Sequence, residues 1–286
     1  MNTFKNLHPI TLICYFLSIL TTSMFSFNPV FVISGLFGAI LYLLMINNKA
    51  SIKTFVGYLF LFIIIAITNP LFSHNGATPL FFINDSRITL EALLYGVFLS
   101  TMIIEVMLWF RCFNLTFDNE KLMYFFGKTF PKLGLIISMA LHYIPNLISE
   151  YKSILSVQKT FGGKKGIGVY IKSFSAVITQ SLENSIEKSN SMSARGYGKV
   201  KRTYYSNFKF TKYDLLYLVI TVVLFIMSAT SIILNTAYFN FYPTIEMNSI
   251  TLTSALSYIA FLLLSLLPFA FQVKEEIKWK YLVSKI

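Results

Sequence analysis

The chain has 286 residues, of which 55% are hydrophobic, 17% aromatic and only 13% charged. A water-soluble domain carries about 25% charged residues, so this composition excludes an ordinary soluble globule and points to lipid as the main solvent. The net charge of +12 is unevenly placed: residues 152–212 hold 12 of the 24 Lys and Arg against Glu183 and Glu187, a local balance of +10. Cations clustered beside apolar runs fit anionic lipid or a protein partner rather than nucleic acid.

In chain order, residues 10–27 form a first apolar run, broken by Asn28-Pro29, and residues 30–46 form a second. The first leads into the second with no small-residue cleavage site, so it reads as a span rather than a cleaved signal. Residues 55–68 are a third, shorter run. Residues 69–89 read as a loop rich in turn formers, among them Asn75-Gly76 and Asn84-Asp85. Residues 90–110 are a fourth run, with Glu91 and Glu105 near its two ends. Runs at 215–234 and 252–271 are long and clean. Each approaches the ~20 residues that a helix needs to cross a bilayer. The expectation is an all-α, polytopic membrane bundle of about six spans.

Orientation follows from Lys and Arg in the short loops, which stay cytoplasmic. Lys5, then Lys49 and Lys53, then Arg111, Lys121 and Lys128 mark the inner side, as do Lys274, Lys278, Lys280 and Lys285 at the end of the chain. Both termini are expected in the cytoplasm. Residues 235–250 contain no Lys or Arg and read as outside. A further run at 133–148 is interrupted by His142, Pro145 and Asn146. If it crossed, the basic segment would lie outside. It reads instead as a helix at the interface or beneath the bundle. The expected domains are therefore 1–111 with four spans, a cytoplasmic helical module at 112–213, and 214–286 with two spans and a basic tail.

Within the module, Ile144, Leu147, Tyr151, Ile154 and Phe161 recur at helical spacing, with Gln158 filling the missing step. Such a stripe fits a long helix packed on another helix, or an ordinary amphipathic helix. A second helix is expected over 176–194. Ser181, Ser185, Ser189 and Ser193 form an i, i+4 row, and small residues in a row admit a close helix crossing; a solvated serine face is the alternative. That helix should end at Gly196. Arg195, just before it, either answers the helix dipole or forks onto a carboxylate of a partner.

Chemistry-bearing residues are sparse. The chain has no phosphate loop, and Gly162-Gly163-Lys164-Lys165 fits a helix end better than one. His8, His74 and His142 fall on different expected elements and do not suggest a metal site. An ionisable group inside a span is a functional candidate by default, but Glu105 lies close enough to Arg111 to snorkel or pair with it. A membrane-embedded enzyme would draw on Glu105, His142 and His74, yet no nucleophile–base pair is visible. A passive channel or scaffold is a third possibility.

Residues 140–150 (Ala-Leu-His-Tyr-Ile-Pro-Asn-Leu-Ile-Ser-Glu) with Gln158, and residues 181–198 through Ser193-Ala194-Arg195-Gly196-Tyr197-Gly198, resemble the two coupling helices of the transmembrane T components of energy-coupling factor transporters. These are related to the cobalt-transport permeases. Leu7-His8-Pro9 and Asn28-Pro29 also fit. The resemblance implies a bacterial cell-membrane protein with no catalysis and no cofactor of its own. It implies two cytoplasmic ABC ATPase partners, which bind ATP, and a separate substrate-binding membrane S component for a vitamin or a metal ion. It places ATPase docking at Ala194, Arg195 and Gly196 on one helix tip, and at Gln158, Phe161 and Gly162 on the other. Phe161 stands where the family has arginine, and Lys159, Lys164 or Lys165 would have to supply the missing charge. On this reading Ser181, Ser185, Ser189 and Ser193 form the helix crossing, and Ile144, Leu147, Tyr151 and Ile154 face the substrate subunit.

Overall fold

The computed structural model describes residues 4–46, 52–73, 75–83, 86–161, 166–199 and 208–283. It is an all-α membrane protein. Its helices are α1 (Pro9–Phe25), α2 (Pro29–Ile46), α3 (Ile52–Phe72), α4 (Leu90–Thr116), α5 (Asn119–Thr129), α6 (Pro131–Phe161), α7 (Ile167–Ala194), α8 (Lys212–Ile233) and α9 (Leu252–Val283). Two short antiparallel pairs, β1 (Pro79–Ile83) with β2 (Ser86–Thr89) and β3 (Phe239–Asn240) with β4 (Glu246–Met247), occupy segments that the sequence shows only as turn-rich loops. The chain divides into two compact units, residues 1–118 with 208–286, and residues 119–207.

In the first unit α1, α4, α2, α9 and α8 pack in succession around a closed ring, and α3 adds to its outside against α4. The core is aromatic: Tyr15, Phe16, Tyr42, Trp109 and Phe261 are almost wholly buried. Glycines let the helices approach. A Cβ on Gly38 would lie 2.8 Å from the Ser265 carbonyl oxygen of α9, and one on Gly35 would strike the Glu105 carboxylate of α4. With no side chain in the way, backbones meet closely, as membrane packing requires in the absence of a hydrophobic drive between helices.

Several polar groups in this unit are paired across helices, where lipid supplies no partner. The Trp109 indole N–H donates to the Gly35 carbonyl at 3.2 Å, and the Tyr42 hydroxyl lies 2.9 Å from Thr116 Oγ1. Pro268 sits inside α9 and has no N–H for the carbonyl one turn earlier, that of Leu264. The Tyr15 hydroxyl of α1 donates to that carbonyl instead, at 3.2 Å. Glu105 is fully buried, with Ser23 of α1 donating to its Oε1. It therefore neither snorkels nor pairs with Arg111. The sequence reading misjudged its depth because α4 does not end at Phe110. It runs on to Thr116, through a fully buried Cys112 and the Tyr42–Thr116 contact.

One end of this unit gathers charged ties. Lys5 forms a 2.9 Å salt bridge with Asp118, just past α4. The His8 backbone N–H donates to Asp214 Oδ1 at 2.8 Å, while Thr211 and Asp214 form a capping box at the start of α8. The start of α1, the end of α4 and the start of α8 thus share one end of the ring.

By length and composition, α2, α3, α4, α6, α8 and α9 are apolar enough to cross a bilayer, whereas α1 has 17 residues. Packing sorts them differently. The ring includes α1 and does not include α6, which belongs to the second unit.

Candidate functional site

The second unit is built on α6 and α7. The expected interfacial helix at 133–148 and the apolar stripe that follows are one 31-residue helix, about 46 Å long at 1.5 Å per residue. It continues through Pro145 despite the lost N–H. The expected helix at 176–194 begins earlier, at Ile167, and has 28 residues. Val177, Ser173 and Val169 continue the i, i+4 row of Ser181 by three further steps toward the N-terminus.

The two helices form an antiparallel hairpin, as the pairing residues show. Near the tip, Ser173 Oγ donates to Gln158 Oε1 at 3.0 Å, and Lys159 Nζ lies 5.2 Å from the centre of the Tyr170 ring. At the other end, Lys188 Nζ sits 3.9 Å from the centre of the Tyr143 ring. Between them, Leu147 and Tyr151 of α6 face Val177 and Ser181 of α7 across an apolar groove of about 520 Å³. Ser173 and Val177 are the residues of α7 that are buried.

The serine row therefore changes character along its length. Ser181 is half-buried and lines the groove with Ser185, and their hydroxyls donate to the carbonyls of Val177 and Ser181, each at 2.6 Å. Ser189 and Ser193 are exposed. Serine hydroxyls that bond back to the preceding turn need no other partner, which leaves the row smooth and small. On α6, Leu147, Tyr151, Ile154 and Gln158 are half-buried, whereas Ile144 is exposed.

The tip of α7 is closed by a Schellman motif. The Tyr197 N–H donates to the Met192 carbonyl at 3.0 Å and the Gly196 N–H to the Ser193 carbonyl at 3.0 Å. This requires a left-handed residue just beyond the helix, and Gly196 has φ +80°. Gly198 repeats the conformation at φ +86°. The chain folds back tightly, with the Lys199 N–H donating to the Gly196 carbonyl. Arg195 is the C-cap residue, and it is exposed together with Ala194.

The other tip is only partly defined. Phe161 closes α6, and Gly162, Lys164 and Lys165 lie outside the described residues, as does His74. Lys159 is already engaged by Tyr170. Glu105 and His142 belong to different units, and no cluster of His, Cys, Asp or Glu that could hold a metal occurs among the described residues.

What the hairpin leaves open is apolar. Ile148, Phe174, Ile178, Leu182 and Ile186 are exposed by 44–65%. Basic, long, paired and apolar on its open side, the hairpin has the form of an element that docks to other proteins.

Comparison with known proteins agrees. The family model for cobalt transport protein, CbiQ, matches residues 5–205. The chain belongs to that family. It is also 34% identical over 93 residues to the energy-coupling factor transporter transmembrane protein EcfT of Lactobacillus helveticus (strain DPC 4571), a stretch covering 30% of this chain and 34% of the relative. The chain thus aligns with about a third of that relative's length. The family is one of membrane transport, and the matched residues contain both hairpin helices.

Proposed function

We propose that this chain is the coupling subunit of an energy-coupling factor importer, one that carries ATPase movement to a separate substrate-binding membrane subunit. The observation that carries the reading is the tip of α7. There Ala194-Arg195-Gly196 ends a 28-residue helix in a left-handed glycine cap, with Arg195 exposed. A guanidinium at a helix end is a rigid fork suited to a carboxylate, and the hairpin behind it is stiff enough to transmit a push.

In this mechanism, two cytoplasmic ATPases bind and hydrolyse ATP. One holds the tip formed by Ala194, Arg195 and Gly196, the other the tip of α6 at Gln158, Phe161 and Gly162. Phe161 makes the second contact apolar. When the ATPases close, the tips move and the hairpin tilts as a unit, because the Gln158–Ser173 bond and the Lys188–Tyr143 contact tie its two helices at both ends. The apolar face that includes Ile144, Leu147, Tyr151 and Ile154 then shifts against the substrate subunit. Ser181 and Ser185, small and bonded within their own helix, let α6 cross α7 closely; Ser189 and Ser193 extend the same surface to the partner. On this reading the two termini face the cytoplasm of a bacterial cell, the side that the Lys and Arg of the short loops favour. The chain itself does no catalysis and carries no cofactor.

The test is a mild-detergent pull-down of the tagged chain, wild type against Arg195→Glu, with mass spectrometry of what accompanies it. Reversing a paired charge costs roughly 2–5 kcal/mol, so ATPase recovery should fall at least thirty-fold while the chain stays in the membrane. Equal recovery of ATPases with the variant would remove Arg195 from the contact.

A further inference from the structure

The ring of the first unit carries an open groove between α8 and α9, of about 790 Å³. Ile220 and Leu224 form its α8 wall, and Leu263, Leu267 and Ala270 its α9 wall. Ala270 is exposed and contributes little volume, which opens the groove beside Pro268. Near one end the apolar lining is interrupted by Lys274, the sole ionisable residue along it among the described residues, with Ile277 one turn beyond.

The length of the groove bears on what fills it. Its α9 wall runs from Leu263 to Ile277, fourteen residues or about 21 Å, of which the apolar stretch up to Lys274 takes about 16 Å. One leaflet of a hydrocarbon core of roughly 30 Å is about 15 Å deep. A partner helix crossing the membrane would need a seat of about 30 Å, longer than the whole groove. A single acyl chain needs only one leaflet, and its headgroup would then stand at Lys274.

Charge at that end is suited to an anion. Lys274 is exposed and has no ion pair among the described residues. Lys278 and Lys280 follow on the same helix, and Lys212 opens α8. Glu275 and Glu276 are the acidic residues adjacent in sequence. On α8, Asp214 is taken up by His8 and Thr211. Basic pockets between membrane helices at the cytoplasmic face recognise anionic headgroups in this way.

We infer that the α8–α9 groove is a binding site for an anionic phospholipid, one acyl chain lying between Ile220 and Ala270 and the phosphate at Lys274. The site belongs to the ring and does not depend on the coupling role of the hairpin.

The test uses the full chain in nanodiscs of phosphatidylglycerol and phosphatidylcholine, equimolar and with matched chains, followed by native mass spectrometry of the released protein. Phosphatidylglycerol should be retained about five-fold over phosphatidylcholine, the preference that one lysine near the surface provides. Lys274→Gln should bring the ratio close to one. Ala270→Phe, which fills the groove, should remove the bound lipid of both kinds with the helical circular dichroism unchanged. Should that variant misfold, Leu263→Trp blocks the other end. Equal retention of the two lipids by wild type, an undiminished preference in Lys274→Gln, or an unchanged lipid count in a folded groove-filling variant would each overturn the site.

Discussion

The ring and the hairpin are both helical and both rich in apolar side chains, yet they end in very different states of completion. In the ring, aromatic side chains pack together, a proline-freed carbonyl accepts from Tyr15 and one oxygen of the Glu105 carboxylate accepts from Ser23, all across neighbouring helices. In the hairpin, a 28-residue helix buries two residues and exposes a face of Phe174, Ile178, Leu182 and Ile186. A unit that satisfies itself is a scaffold. A unit held at a few points, with apolar surface left over, is built to be covered by something else. In water, exposed patches of this kind mark interaction sites.

That contrast can be broken most severely in the ring. Gly38→Leu drives a side chain into the Ser265 backbone. It should cost about 3 kcal/mol or more and lower the melting temperature by about 10 °C, as followed by size-exclusion of heated membrane extracts. An unchanged melt would mean that α2 and α9 are not so close. Next, Glu105→Ala should cost about 2–3 kcal/mol through a cavity and an orphaned Ser23 hydroxyl. Glu105→Gln keeps an acceptor for Ser23 and should cost less than half of that. If the two variants melt alike, the hydrogen bond is not what matters at this position.

Changes in the hairpin should leave the ring's melt untouched. Gly196→Ala has open space around it but forces a side chain into φ +80°. A loss of about 1 kcal/mol in local stability, read by hydrogen exchange at the amides of 192–197, is expected. Protection equal to wild type would show that the cap is not maintained. Lys188→Met with Tyr143→Leu should reveal a coupling of about 0.5–1 kcal/mol in a double-mutant cycle. Additive effects would remove the cation–π contact from the forces that hold the hairpin.

Much of this architecture is legible in the sequence because lipid imposes simple demands. Runs of apolar residues give α2 and α8 to within a few positions and the start of α9, which runs twelve residues beyond its apolar run into the basic tail, and Gly196 marks the end of α7 through its backbone freedom. Other features left no local signal. Pro145 suggests a break, yet α6 passes through it. The start of α7 hides among glycines at 166–168. Glu105 looks like an interfacial residue until α4 is seen to extend beyond Phe110. The β1–β2 pair resembles any turn-rich loop.

By itself, then, the sequence determined the class of protein, the basic segment and the end of α7 at Ala194-Arg195-Gly196. Composition, period and glycine conformation are properties of neighbouring residues. Tertiary structure alone decided that α1 rather than α6 joins the ring, that Glu105 is sealed beside Ser23, and that α6 and α7 pair in antiparallel register. Each of these depends on which helices meet, and residues like Tyr15 and Pro268 become partners only once distant parts of the chain have packed.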